Sequence, residues 1–321
     1  MALKAEFRNR LSIPVVGSPM FIVSNPDLVI AQCKAGIVGS FPALNARPAS
    51  MLDEWLKKIT TELDTYNQAN PEKPAAPFAV NQIVHRTNPR LEEDLALCVK
   101  YKVPIVITSL GSRPEVYEAV HSYGGVVFHD VIDNTFARKA ADKGADGIIA
   151  VAAGAGGHAG TWSPFALVQE IREWFDGPLL LAGAIATGDA ILAAEAMGAD
   201  LAYIGSPFIS TREANAEDSY KQMIVNSGAS DITYTDRFTG VHGNYLTQSL
   251  VAAGIDPKAL QAGAMNDMDF GAALKEENKK AWKDIWSAGQ GVGAIKDSPP
   301  AAEYIARLKA QYDAARQRLA V

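Results

Sequence analysis

The sequence predicts a (β/α)8 barrel carrying an additional C-terminal helical lobe. Eight short apolar, β-branched runs recur over the first two-thirds of the chain, separated by segments with helical spacing. The runs are continuously apolar, as expected of parallel strands buried on both faces. Two helix-to-strand joints, Lys143-Gly144-Ala145-Asp146 and Met197-Gly198-Ala199-Asp200, repeat one pattern, with a glycine placed to end the helix just before the strand. A right-handed βαβ series of eight closes into a barrel. The structural competitor, an open doubly wound sheet, needs a glycine-rich fingerprint after the first strand, and Gly17-Ser18-Pro19-Met20 is not one.

The expected strands cover 13–17, 36–40, 77–81, 103–108, 125–129, 147–151, 178–182 and 201–204. A helix over 26–34 follows the capping residues Ser24 and Asn25. One over 50–66 places Leu52, Trp55, Leu56, Ile59 and Leu63 on a single stripe. Further helices are expected over 89–101, 114–123, 134–143, 164–175 and 188–197, and 211–225 reads as the eighth. Beyond it the polarity becomes mixed. A hairpin is expected near 231–238, then a helix over 272–286 with Trp282 and Trp286 packing on one face. A glycine-rich stretch over 287–293 and an amphipathic helix over 301–319 complete the chain. The expected division is a barrel over 1–226 and a lobe over 227–321 packed on its side.

Composition narrows the function. The chain has 321 residues, 48% apolar and 21% charged, which suits a globular protein with a large core. A net charge of −6 without a Lys/Arg run argues against nucleic-acid and membrane surfaces, so an anionic ligand must be held by local donors. Cys33 and Cys98 do not form a disulfide framework and read as small buried hydrophobes. No signal-type apolar segment opens the sequence, so cytoplasm is the default expectation. The oligomeric state stays open, a homodimer included.

In such barrels the chemistry sits where the strands end at their C-terminal side. Gly183 and Gly205 end the last two strands, and helix starts are expected at Thr187-Gly188-Asp189 and Ser210-Thr211-Arg212. Glycine lets backbone approach an oxyanion, and helix N-termini supply N–H donors, so these loops read as a phosphate grip. The stretch Ala152–Gly160 holds one ionisable side chain, His158, among glycines and alanines. Nothing beside it completes a metal-ligand set. A neutral imidazole there is suited to accept a proton. His85 and His242 are candidate pocket residues, and His121 reads as a solvated helix residue. His129 ends a strand and reads equally as a cofactor contact or a packed side chain. Ser206 lacks the Gly-x-Ser-x-Gly setting of a nucleophile.

Taken together, Pro14-Val15-Val16-Gly17-Ser18-Pro19-Met20, Ala155-Gly156-Gly157-His158-Ala159-Gly160, Leu181-Ala182-Gly183-Ala184-Ile185, Ile204-Gly205-Ser206-Pro207-Phe208 and Trp286-Ser287-Ala288-Gly289-Gln290-Gly291 resemble the nitronate monooxygenases, also called 2-nitropropane dioxygenases. The resemblance spans residues 11–320 in order. It implies a TIM barrel holding noncovalent FMN. By motif, the backbone of Ser18, Pro19 and Met20 would border the flavin ring, with Asn81 on its ring or ribityl side and Gly156 nearby. Gly183, Ala184, Gly205 and Ser206 would bind the phosphate, His158 would be the catalytic base, and Gln290 would reach the flavin from the lobe. Relatives often have Gly-Gly at Gly183-Ala184 and Gly-Thr-Arg-Phe at Gly205-Ser206-Pro207-Phe208. Some carry Lys at Asp130.

The resemblance implies oxidation of nitronates or nitroalkanes with O2 to carbonyl compounds and nitrite. Two other readings stay open. One keeps the flavin in an NAD(P)H:quinone or enoyl-thioester reductase. The other is a flavin-free phosphosugar aldolase or isomerase, against which stands the lack of a strand-end Lys suited to a Schiff base.

Overall fold

In the computed structural model, residues 5–238, 240–260 and 285–319 are described. The strands are β1 (Val15–Gly17), β2 (Gly39–Pro42), β3 (Phe78–Ile83), β4 (Ile105–Ser109), β5 (Val126–Val131), β6 (Gly147–Val151), β7 (Gly157–His158), β8 (Leu179–Ala182), β9 (Leu201–Ile204), β10 (Ile232–Thr235) and β11 (Gly243–Leu246). Eight of them form one parallel sheet in the order β1-β9-β8-β6-β5-β4-β3-β2. A parallel bridge between Val16 and Val38 closes it, with the Gly17 N–H donating to Val38 O at 2.8 Å. The expected barrel is therefore present, and all eight expected strands lie in it.

Strand alternation sorts its side chains into two cores. Val16, Val38, Ala79, Ile105, Ile107, Val126, Phe128, Ile149, Leu180 and Leu201 fill the barrel interior, with Phe7 and Leu11 packed against them. The opposite set packs under the helices α2 (Pro26–Lys34), α3 (Met51–Ala69), α4 (Leu91–Lys100), α5 (Pro114–His121), α6 (Asn134–Asp142), α7 (Pro164–Arg172) and α8 (Gly188–Ala196), which follow a short α1 (Ala5–Arg8). Asn25 caps α2 by accepting from the Leu28 N–H at 2.8 Å, while Ser24 instead accepts from the Met20 N–H. Gly144 and Gly198 take positive φ at the two repeated joints. Cys33 and Cys98 are buried free thiols.

The eighth outer helix is not the expected 211–225. After β9 comes one turn, α9 (Ser206–Ile209), then irregular chain, then α10 (Asp218–Asn226). Ser210 and Thr211 do not open a helix; their hydroxyls donate back to Pro207 O and Phe208 O. After α11 (Thr247–Ala252), the last helix, α12 (Ala301–Leu319), takes the vacant place between α8 and α2. Gly188 permits this, because a Cβ there would sit 2.1 Å from the Tyr312 backbone nitrogen. The expected hairpin is wider than 231–238, since β10 ends at Thr235 and its antiparallel partner β11 begins only at Gly243. The expected helix over 272–286, with Trp282, falls largely on 272–284, outside the described residues. Trp286 stacks on Tyr220, with ring centroids 4.8 Å apart.

Candidate active site

Inward-facing positions near the C-terminal ends of three neighbouring strands make a polar layer at the barrel mouth. Asn81 on β3 donates from Nδ2 to Ile107 O at 3.2 Å and to Ser109 Oγ at 2.7 Å. Ser109 on β4 donates onward to Asp130 Oδ2 on β5 at 2.5 Å. Burial pushes the Asp130 carboxyl up to about 6 against the lowering effect of the Ser109 hydrogen bond. Tyr203 on β9 packs against the same interior. His129 is one residue out of phase and faces the helices, with Nδ1 2.7 Å from Thr108 Oγ1 and 3.5 Å from Tyr117 Oη. Burial and then the charge of Lys143 lower it to about 4. The structure thus resolves His129 as a packed strand-end residue.

His158 lies on the loop after β6, and the hairpin of β10 and β11 holds that loop in place. Its short strand β7 pairs antiparallel with β11, matching His158 to Gly243, and β10 completes a three-stranded sheet. Asn244 Nδ2 donates to Ala155 O at 2.7 Å, the Ala159 N–H to His242 O at 3.1 Å, and Tyr234 Oη to Ala159 O at 2.9 Å. The His158 side chain is half-buried, and burial lowers its imidazole to about 4. His242 is turned away from this contact and stacks on Tyr234. His85, in the loop after β3, bonds Thr87. His121, exposed on α5, pairs with Asp146 at 2.7 Å.

The expected phosphate residues come together at the ends of β8, β9 and β1. Gly205 caps α9, and a Cβ there would meet Ser18 Oγ at 3.3 Å and Met20 Sδ at 3.6 Å. Pro19 lies between these two in the same half-buried turn. Gly183 has φ +145° and Ala184 φ +54°, a left-handed pair with Ala184 exposed. The 287–293 segment packs across them. The Gly289 N–H donates to Ser206 Oγ at 2.8 Å, and the Gln290 N–H to Gly154 O at 2.9 Å. A Cβ at Gly154 would sit 3.0 Å from Gln290 Oε1 and 3.3 Å from Ala184 Cβ. Gly156 approaches the same segment, since its Cβ would fall 2.8 Å from the Gly289 nitrogen. Ser18, Met20, Gly156, Gly183, Ala184, Gly205, Ser206 and Gln290 therefore border one region, and Asn81 stands across the mouth on β3.

The family model for nitronate monooxygenase matches residues 7–311. The chain belongs to the nitronate monooxygenase family. It is 26% identical to a nitronate monooxygenase of Paraburkholderia phytofirmans, over 92% of this chain and 91% of that protein. It is 25% identical to (3aS,4S,5R,7aS)-5-hydroxy-7a-methyl-1-oxo-octahydro-1H-indene-4-carboxyl-CoA dehydrogenase of Rhodococcus jostii, over 85% of this chain and 78% of that one. Nitroalkane oxidase from Streptomyces ansochromogenes superposes with a TM-score of 0.80 at 24% identity, covering 97% of this chain and 99% of the other, a likeness of fold.

Nitronate monooxygenases are flavin-dependent oxidoreductases, and the residues present fit such a cofactor. Gly183 and Gly205 leave the strand ends open to close approach, with the Ser18 and Ser206 hydroxyls beside Gly205, a neutral setting suited to a phosphate, while the Ala184 N–H donates to Gly154 O at 3.3 Å. Among the described residues no group of three His, Cys, Asp or Glu side chains could hold a metal, and no helix is long and apolar enough to cross a membrane. Sequence reasoning missed Asn244 and Tyr234, whose partners are distant in sequence. Only the i, i+2 phase of each strand, which puts Asp130 inside and His129 outside, was there to be read.

Proposed function

We propose that the protein is an FMN-dependent nitronate monooxygenase, converting nitroalkanes or their nitronates, with O2, to carbonyl compounds and nitrite. The observation that carries this reading is the placement of His158, held on the β6 loop by its pairing with Gly243, two residues from Gly156 beside Ser206, with burial lowering its imidazole to about 4. Gly183, Ala184, Gly205 and Ser206 would hold the phosphate. Ser18, Pro19, Met20, Asn81 and Gly156 would border the ring, with Gln290 closing over it from the 287–293 segment. FMN, once bound, supplies the electron-accepting chemistry. His158 takes the α-proton when the neutral nitroalkane is bound, and burial keeps it free of a proton of its own at neutral pH. A low pKa makes it a weak base, but the nitronate charge that develops beside it raises its proton affinity as the proton moves. The β7–β11 pairing holds the base in register.

Anaerobic addition of nitronate, NADH and NADPH in turn to the purified holoprotein tests the reading. Flavin bleaching by nitronate is expected. Bleaching by a nicotinamide alone would replace it with the reductase reading, which the Rhodococcus jostii CoA-thioester dehydrogenase supports. A protein that stays colourless after FMN is added would point to a flavin-free barrel.

A further inference from the structure

The polar layer at the mouth has a direction. Asn81 Nδ2 faces Ile107 O, which can only accept, and this fixes which end of the amide is nitrogen. Its second hydrogen goes to Ser109 Oγ. Ser109 has one hydrogen and gives it to Asp130, so its oxygen accepts from Asn81. Both Asn81 hydrogens are thereby committed, and its Oδ1 is the polar atom left to meet a ligand. We propose that Asp130 and Ser109 are positioning residues that lock Asn81 Oδ1 as an acceptor for a flavin ring N–H, and that the Asp130 charge makes the bound flavin harder to reduce. The proposal rests on the FMN reading above.

The geometry supports both halves. The three residues occupy adjacent strands on the inward phase, below any ring seated at the mouth. A fixed acceptor suits a ring N–H and rejects a ring carbonyl. Two-electron reduction with uptake of one proton from solvent adds one negative charge to the bound ring, and a carboxylate close by in a poorly solvated place opposes it. Asp130 is pushed up to about 6, so it carries its charge at pH 8 and has lost it at pH 5. Tyr117 and Tyr203, which feel Asp130, are raised by burial, and His129 and His158 are lowered to about 4, so none of these changes charge across that window. His85 and Arg86 on the loop after β3, Arg113 after β4 and Asp133 after β5 remain in any Asp130 variant. The difference from wild type therefore isolates Asp130.

The test is the midpoint potential of the FMN holoprotein from pH 5 to 8 for wild type, Asp130→Asn and Ser109→Ala, with FMN affinity measured alongside. At pH 8 Asp130→Asn is expected to shift the reduced-to-oxidised equilibrium about tenfold toward reduced flavin, about 30 mV for a two-electron couple. At pH 5 the two proteins should coincide. Wild type and Ser109→Ala should both show a bend between pH 5 and 8 that Asp130→Asn lacks. Ser109→Ala keeps the charge, so its potential should stay near wild type while FMN binds several-fold more weakly. A bound FMN whose potential at pH 8 is unchanged by Asp130→Asn, or is shifted equally at pH 5, overturns the charge effect. Unchanged FMN affinity in Ser109→Ala overturns the locking of Asn81. A wild type that takes up no FMN overturns the cofactor reading itself and this proposal with it.

Discussion

In the proposed reading His158 serves proton transfer and Gly205 cofactor retention, and single substitutions should separate the two. His158→Asn keeps polarity but cannot accept a proton, so its rate on neutral nitroalkane should fall on the order of 10²–10⁴-fold. On preformed nitronate, which has already lost that proton, it should keep much of its activity; equal losses on both forms would reduce His158 to a binding residue. Gly205→Val should release FMN with the barrel intact, because Gly205 has φ −113°, which any residue adopts, and only the cradle is filled. Retained FMN in that variant would move the phosphate elsewhere. Gly183→Val is a poorer probe, since φ is +145° and the new Cβ would lie 2.8 Å from Ala153 O, straining the backbone as well. A third residue reports on acid stability. Folded His129 binds its proton only near pH 4, whereas an unfolded histidine does so near 6.5. The unfolded chain therefore takes up more protons as pH falls from about 6.5 to 4, and the stability that neutral His129 contributes above 6.5 is lost across that window. Asp130, raised to about 6, acts in the opposite sense, so the wild-type curve mixes the two. His129→Gln should lessen the fall in Tm between pH 7 and 4.5, and an unchanged fall would show that His129 is not its source.

At the scale of elements, the sheet formed by β7, β11 and β10 makes the hairpin of β10 and β11 a support for the His158 loop. Asn244 is its side-chain anchor, buried and bonded to Ala155 O. Asn244→Ala leaves that carbonyl without its donor at a cost of about 1–3 kcal/mol. The variant should melt a few degrees lower and lose rate on neutral nitroalkane while still binding FMN, whose proposed phosphate cradle lies at the ends of β8 and β9. Loss of FMN together with rate would mean that the hairpin supports the whole site and not the His158 loop. None of this pairing could be read from sequence. β7 is two residues, Gly157 and His158, in a glycine-rich run that reads as loop, and its partner lies more than eighty residues away. The barrel strands were legible because burial on both faces leaves a continuous apolar run, and α2 and α12 because caps and amphipathic spacing mark them locally. The glycines that end β8 and β9 were legible as strand ends, and the phosphate role proposed for them rests on the same signal. The Asn81, Ser109 and Asp130 chain was not, because it depends on the phase of three strands relative to one another.

At the scale of the molecule, α12 decides where the barrel ends. The eight strands are complete by residue 204, yet the outer layer is not closed until 301–319 returns to fill the gap between α8 and α2. Its periodicity marks it as a helix, but nothing local says that it rather than 211–225 occupies the eighth place. The decisive residue is Gly188, a hundred positions upstream, whose missing side chain admits the α12 backbone. The contact buries Tyr304, Ile305, Leu308, Tyr312 and Ala315 in the main core. It is pinned by Tyr304 Oη donating to Ala186 O at 2.7 Å, by the Gly188 N–H donating to Gln311 Oε1 at 3.0 Å, and by the Arg318–Asp189 pair. Burying four large apolar side chains is worth roughly 1.5–3 kcal/mol each, which together rivals the entire 5–15 kcal/mol stability of an ordinary domain. A chain ending at residue 226 keeps every barrel strand but exposes the facing surfaces of α2 and α8, and it also lacks β11, the partner of the His158 loop. It should therefore be recovered aggregated or without a cooperative thermal transition. Removing only 301–321 should have nearly the same effect, although that deletion spares β10, β11 and the 287–293 segment over the cradle. If the 1–226 chain melted cooperatively and bound FMN, the eight strands with seven helices would be a self-sufficient unit, and α12 would be an appendage to the barrel and not its closing helix.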